Sequence, residues 1–204
     1  MNSLRIRLKV LLYMPLAWIW LLLYRFSSQR KKIDMDLDRF CGVHMGHAPE
    51  KHRWFYLVRE LVVFPEFRTV FLFRLGKIRH IVKHFMPRPE NNMTFTVPRD
   101  KFGGGVFVQH GFSTGISAHS IGEHCWFNQR VTVGFRGDGY PTIGNNVSIG
   151  VGAVVIGDIK IGNNVKIGAN ALVLHDVPDN SIVIAPEATV IRKNLSEDNE
   201  QQKQ

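Results

Sequence analysis

Between residues 121 and 173 an aliphatic or aromatic side chain returns at a spacing of six: Ile121, Phe127 and Val133, then Ile143, Ile149, Val155, Ile161, Ile167 and Val173. Glycine follows directly at Gly122, Gly134, Gly144, Gly150, Gly162 and Gly168, and the segments IGNNVS, IGVGAV, IGNNVK and IGANAL carry the repeat most clearly. Neither the 3.6-residue period of a helix nor the two-residue alternation of a simple strand generates such a series. Three hexads make one triangular coil. One apolar side chain per side points to the axis, and stacked coils then share a continuous core. The pattern predicts a mainly β fold, a left-handed parallel β-helix over residues 101–194, preceded by an α-helical N-terminal region. The Gly or Asn after each apolar position is expected at the corner, where a positive φ costs little. One step, from Val133 to Ile143, is ten residues long. The extra residues lie in GFRGDGYPT and predict a loop ejected from one corner. A second irregular zone is FVQHGFSTGISAHS. Loops on a rigid scaffold are where function concentrates.

The first hundred residues follow a different pattern. Residues 10–23, VLLYMPLAWIWLLL, are nearly all apolar and are flanked by Arg5, Arg7 and Lys9 before and Arg25, Arg30, Lys31 and Lys32 after. The run falls short of the roughly 20 residues that a spanning helix needs. Basic residues on both flanks give no inside–outside asymmetry. Tyr13, Trp18, Trp20 and Tyr24 are side chains that favour the headgroup level. Residues 1–32 therefore read as a membrane-associating segment, in-plane or re-entrant. Two alternatives stay open: a helix buried on the protein or a neighbouring subunit, and a signal peptide, although no small-x-small cleavage site follows. Residues 54–75 predict two short helices divided at Phe64-Pro65. They form a hairpin with an apolar side and a basic rim (Arg59, Arg68, Arg74, then Arg79, His80, Lys83 and His84), or else a cap on the rest of the fold. Residues 86–100 carry three prolines and read as a linker that ends the 33–100 helical region. Residues 195–204 are expected to be a disordered polar tail.

Charge sharpens this division. The formal net charge is +9, and residues 1–100 hold 18 Lys and Arg against 8 Asp and Glu, whereas the remainder holds 8 against 9. A one-sided basic excess points to a polyanion or an anionic membrane surface. Zinc-finger spacing, an RNP motif and a recognition helix are all missing, so nucleic acid is not expected as a partner. Two cysteines without CxxC spacing fit a reducing compartment.

The motifs QHGFSTGI, IGEHCWFNQRVTVG, YPTIG, VGAVVIGDIKIG, IGANALVLHDVP and APEATVIRK, in that order, span roughly residues 103–193. In this the chain resembles the serine O-acetyltransferase-like branch of the hexapeptide-repeat acyltransferases, and most closely the capsular or exopolysaccharide O-acetyltransferases with their apolar N-terminal regions. The resemblance implies acetyl-CoA as donor, no metal, and sites between the coils of neighbouring subunits in a homotrimer. It places the catalytic base on His110. A neutral imidazole can take the proton of a hydroxyl as it attacks a thioester, and backbone amides at a corner can hold the oxyanion. Gln109 stands where the serine enzymes carry Asp, and Tyr140 where they carry a second His. These departures point to a sugar hydroxyl rather than free serine, with Gln109, Glu123, Asn128 and Tyr140 at the acceptor. Glu123 or a backbone carbonyl is the expected partner of His110. Gly134, Gly152, Ala153 and Ala171 match positions that line the pantetheine arm, and Lys193 or Arg192 would meet the nucleotide phosphates. Small residues there are equally what a tight coil requires.

His119 and His124 lie close to His110 in sequence and invite a zinc reading of the γ-class carbonic anhydrase kind. That class needs one ligand far upstream of a close pair, and nine residues between His110 and His119 do not provide it. His175 is expected at a corner, with Cys125 and Trp126 filling space. The function expected from the sequence is a cytoplasmic O-acetyltransferase on the inner membrane face, acting on a sugar or lipid-linked glycan in polysaccharide biosynthesis. The alternatives are a serine O-acetyltransferase of cysteine biosynthesis and a non-catalytic trimeric scaffold.

Overall fold

The computed structural model describes residues 3–90, 92–137 and 139–190. Among the described residues five α-helices come first: α1 (Ser3–Phe26), α2 (Arg30–Met45), α3 (Arg53–Val63), α4 (Pro65–Leu75) and the single-turn α5 (Arg79–Val82). The break between α3 and α4 falls at Phe64, which is extended, and Pro65 opens α4 at a first-turn position where its missing N–H has no helical partner to lose.

Thirteen short strands follow among the described residues: β1 (Met93–Thr96), β2 (Phe107–Val108), β3 (Thr114–Ser117), β4 (Ser120–Ile121), β5 (Trp126–Phe127), β6 (Thr132–Gly134) and β7 (Thr142–Ile143), then β8 (Ser148–Ile149), β9 (Val154–Ile156), β10 (Lys160–Ile161), β11 (Lys166–Ile167), β12 (Leu172–Val173) and β13 (Ile182–Val183). All pair in parallel and make three faces. The first is β1-β3-β6-β9-β12, the second β4-β7-β10 and the third β2-β5-β8-β11-β13. The chain circulates from third to first to second face and back, which makes a left-handed parallel β-helix of about five coils.

Every hexad residue from Ile121 to Val173 is buried, and so is the residue four positions later, from Cys125 and Val131 to Val165 and Ala171, except after Val133, where the loop intervenes and Gly137 is exposed. Each inward aliphatic side chain contributes about 1.5–3 kcal/mol on burial. The registers stack them: Val108, Phe127, Ile149 and Ile167 on the third face, Ile116, Val133, Val155 and Val173 on the first.

The glycine expectation needs correction. Positive φ falls three residues after the apolar position, at His124, Arg130, Asn146, Gly152, Asn164 and Asn170, not at the glycine directly after it. That glycine serves close stacking instead. A Cβ on Gly122 would lie 2.5 Å from the Gly144 carbonyl carbon, and one on Gly144 would lie 2.8 Å from that of Gly162. Asparagine supplies the corner because its short polar side chain tolerates the left-handed region and bonds to the adjacent coil. The Asn146 side-chain amide donates to Asn164 Oδ1 at 3.1 Å and that of Asn164 to Asn180 Oδ1 at 2.9 Å, while Oδ1 of the neighbouring Asn145 and Asn163 accepts from the Glu123 and Asn145 backbone amides at 2.8 and 2.9 Å.

The helices cap the open end of the solenoid. The stretch read as a linker contributes β1, which pairs with β3 from Met93 to Thr96. Arg68 and Arg74 do not belong to a basic rim; both are buried. Arg74 Nε donates to Asp36 Oδ2 at 2.9 Å, Nη2 to Asp36 Oδ1 at 3.2 Å, and Nη1 to the Phe102 carbonyl at 2.8 Å. The Val106 amide donates to Asp36 Oδ1 at 2.9 Å, so α2 and α4 are tied to the first coil through one buried ion pair. Arg68 donates to the Leu61 and Arg88 carbonyls, and burial pushes its guanidinium down to about 10. The apolar run read as residues 10–23 lies inside the longer α1. One stripe of α1, Val10, Ala17, Trp20 and Tyr24, is buried in the helical core.

Candidate active site

Two places break the solenoid's rhythm, and both lie at corners. Eight residues separate Val108 from Ile116, where six separate their register partners Phe127 and Val133. The two extra residues bulge the corner between the third and first faces. His110 and Ser113 adopt left-handed φ values of 52° and 54°, and the Phe112 amide turns back to the His110 carbonyl at 2.7 Å. Non-glycine residues held there cost of order 1 kcal/mol or more, and such residues cluster at functional sites. The bulge leaves His110 exposed, while Gly111 behind it is buried. A Cβ on Gly111 would lie 2.4 Å from Met93 Sδ and 3.3 Å from Glu66 Cγ. Glycine lets the loop sit close on β1 and α4; a larger residue there would have to displace the Met93 side chain. Among the described residues the imidazole of His110 makes no hydrogen bond, so the expected partnership with Glu123 or a backbone carbonyl is not formed within one chain.

The rest of that edge is continuous below His110. The Gln109 amide donates to Phe127 and the Asn128 amide to Ile149, so Asn128 lies one coil beneath Gln109. The Gly152 amide donates to Gln129 and the Asn170 amide to Val151, which places Gly152-Ala153 and then Ala171 on the same edge in successive coils. The amides of Gly152, Ala153 and Ala171 already donate within the solenoid. Ala153 and Ala171 are also buried in the solenoid core, at 0% and 2% exposure, so of these three only half-buried Gly152 is open to a passing ligand.

The ejected loop occupies a different edge, between the first and second faces. Arg136 and Gly139 pair across it, and Phe135 packs on Tyr140 with ring centroids 5.4 Å apart. Tyr140 is exposed, Pro141 is buried beneath it, and Gly134 sits where the loop leaves β6. Glu123 lies on the third edge, its amide held by Asn145. One chain thus gathers His110, Gln109, Asn128, Gly152, Ala153 and Ala171 along one edge. It leaves Tyr140 and Gly134 across the first face, and Glu123 elsewhere. Lys193 and Arg192 lie outside the described residues, as does the tail 195–204. Among the described residues no group of three or more His, Cys, Asp or Glu side chains is placed to hold a metal ion. His119 stands on the loop's edge with Lys101 Nζ 3.1 Å from its Nε2, and His124 occupies a corner of the asparagine column.

Sequence reading missed Glu66 and Arg130. Glu66 reaches the bulge from α4, and no local pattern links residue 66 to residue 110. Arg130 is exposed and left-handed on the edge below His110, and its amide donates to the Phe112 carbonyl at 3.0 Å. The hexad register could have placed it.

Residues 140–175 match the family model described as bacterial transferase hexapeptide (six repeats). The serine acetyltransferase of Helicobacter pylori strain 26695 is 34% identical over 146 residues, 66% of this chain and 85% of that protein. The chain belongs to the hexapeptide-repeat acyltransferase family. The serine acetyltransferase of Synechococcus elongatus is 40% identical over 102 residues, but the match spans only 42% of that protein's length. Among solved structures, the Neisseria gonorrhoeae serine acetyltransferase superposes with a TM-score of 0.59 at 26% identity, covering 88% of this chain and 74% of that one. These relatives overturn the expected placement with capsular and exopolysaccharide enzymes and the expected sugar acceptor in polysaccharide biosynthesis. Gln109 and Tyr140, together with the apolar, basic N-terminal half, carried that expectation; the N-terminal half bears on where a protein sits more than on which hydroxyl it acylates.

Proposed function

We propose that this protein transfers an acetyl group from acetyl-CoA to the hydroxyl of serine. The observation that carries the reading is the His110 bulge: an exposed imidazole on a strained corner, heading an edge of small residues, in a chain whose relatives are serine acetyltransferases. His110 takes the serine hydroxyl proton as the oxygen attacks the thioester carbonyl. The C–S bond then breaks, and the imidazolium returns the proton to the departing CoA sulfur. An imidazole suits both steps because its ordinary pKa lies near neutral pH. Half-buried Gly152, with no side chain, lets the pantetheine arm approach the backbone on this edge, with Ala153 and Ala171 buried behind it.

The site is completed by a second copy in a trimer. His110 and the Tyr140 loop flank the first face of one chain, so packing one chain's His110 edge against its neighbour's loop edge joins them. Exposed Phe112, Val151 and Leu172 lie along that edge and face as apolar surface for such a contact. Gln109 and Tyr140, which depart from the serine enzymes, then border the acceptor.

The test mixes purified protein with acetyl-CoA and L-serine and follows thiol release. Serine-dependent release is expected, and His110→Asn should cut it by about 10²–10⁴-fold at unchanged thermal stability. Release that ignores serine, or that survives His110→Asn, would overturn the reading.

A further inference from the structure

Helix α1 has two faces, and the fold uses only one. Val10, Ala17, Trp20 and Tyr24 enter the helical core, and two polar latches hold them: Trp20 Nε1 donates to the Phe85 carbonyl at 3.2 Å and Tyr24 to Asp34 Oδ1 at 2.6 Å. On the opposite side Leu4, Leu8, Leu11, Leu12, Trp18, Leu22 and Phe26 recur at helical spacing and stand in solvent. Leu12 is 74% exposed and Phe26 79%. At about 1.5 Å per residue the stripe runs about 33 Å. That is a contiguous apolar strip rather than the scattered exposure of an ordinary surface.

Open grooves flank the helix on both sides. One, of about 720 Å³, lies between α1 and α3 and is lined by Leu11, Met14, Trp54 and Phe55 with Arg7 at its rim. The other, of about 580 Å³, is lined by Leu8, Leu12 and Val63 with Arg5 and Lys9 beside them. Arg5, Arg7 and Lys9 form no ion pair with a described carboxylate. The first turn of α1 holds no acidic residue. Apolar grooves bordered by unpaired cations match the two ends of an anionic phospholipid: acyl chain inside, phosphate at the rim.

We propose that α1 docks the protein on an anionic lipid bilayer, lying in the plane of the interface with its exposed stripe immersed. The latches at Trp20 and Tyr24 keep the inner face on the protein, so α1 enters the lipid from one side instead of crossing it, although its length and hydropathy would suffice to span. Charge decides between lipid and a second copy of the chain. Two copies packed stripe to stripe would bring their basic residues together, whereas an anionic surface neutralises them at about 1 kcal/mol per cation. The proposal stands apart from the acetyl-transfer reading, since the stripe and His110 belong to different halves of the chain.

The test incubates the full chain with vesicles of phosphatidylcholine alone or with three-tenths phosphatidylglycerol, and measures co-sedimentation at about 0.1 M salt. Binding to the anionic vesicles should exceed binding to the neutral ones at least tenfold. Leu8→Glu with Leu12→Glu should lower it at least tenfold without moving the thermal midpoint, because both side chains are solvent-facing. Arg5→Gln, Arg7→Gln and Lys9→Gln should each weaken binding about fivefold and together erase the preference for anionic lipid. Alkaline carbonate should release the bound protein. Failure to bind either vesicle would refute the proposal, and retention through carbonate would replace docking by spanning. A Leu8→Glu/Leu12→Glu variant that breaks a larger oligomer, from a parent that ignores vesicles, would assign the stripe to a second copy.

Discussion

The Asp36–Arg74 pair is the joint between the helical half and the solenoid, and Asp36→Asn tests it. Both side chains are essentially without solvent contact, at 1% and 0% exposure. Burial pushes the Asp36 carboxyl up, while the Arg74 guanidinium and the Val106 amide pull it back toward ionisation. In the variant the amide keeps the shape and one acceptor oxygen but removes the charge, leaving Arg74 buried without its counter-ion. Breaking such a pair on one side costs about 3–5 kcal/mol. That is a large share of the roughly 5–15 kcal/mol of a folded protein, and for a chain of this size it lowers Tm by about 6–20 °C. Thermal and urea unfolding followed by circular dichroism give the measurement. Arg74→Met added to Asp36→Asn should then cost less than Arg74→Met alone, because in the Asn background it removes a stranded cation, whereas alone it strands the buried Asp36 carboxylate. A drop below about 1 kcal/mol for Asp36→Asn, or strict additivity in the cycle, would refute the view that this pair joins the two halves. Asp36 also holds the Val106 amide, four residues before His110, so residual acetyl transfer should fall along with stability.

Two further outcomes follow from packing. Gly122→Ala places a Cβ 2.5 Å from the Gly144 backbone and should cost about 1–3 kcal/mol in urea unfolding. Gly115→Ala, whose nearest contact is Thr94 Oγ1 at 3.8 Å, should stay within about 0.5 kcal/mol. Burial, followed by the nearby Glu60 charge, raises the Cys41 thiol to about 12, and burial raises Cys125 to about 11. Neither should react with a thiol-specific reagent at neutral pH until the protein unfolds, and fast labelling of the native protein would contradict their placement.

Much of the solenoid was legible in the chain because a six-residue period is local. Ile143, Ile149 and Val155 repeat the same short-range instruction, and each coil offers the next an identical ledge. The His110 bulge was visible only as a failure of register, and its meaning needed the strand pairing of Val108 and Ile116 with their partners. Arg68 and Arg74 were misread because a cation in an apolar run looks like a rim. What makes them internal is a set of carbonyls and one carboxylate supplied by distant segments. The sugar acceptor was misread because two local departures, Gln109 and Tyr140, and the greasy N-terminal half were taken as statements about the acceptor.

The sequence by itself determined the coil, its inward residues, the ejected loop and the break at Pro65, since each depends on neighbours within a few positions; the candidacy of His110 came from the resemblance its QHGF motif carries. Tertiary structure alone decided which face of α1 is left bare, which charges go inside, and how the site residues divide among three edges. Those outcomes depend on partners many residues away, such as Asp36 with Arg74 and Val106, and no local period records such a partner.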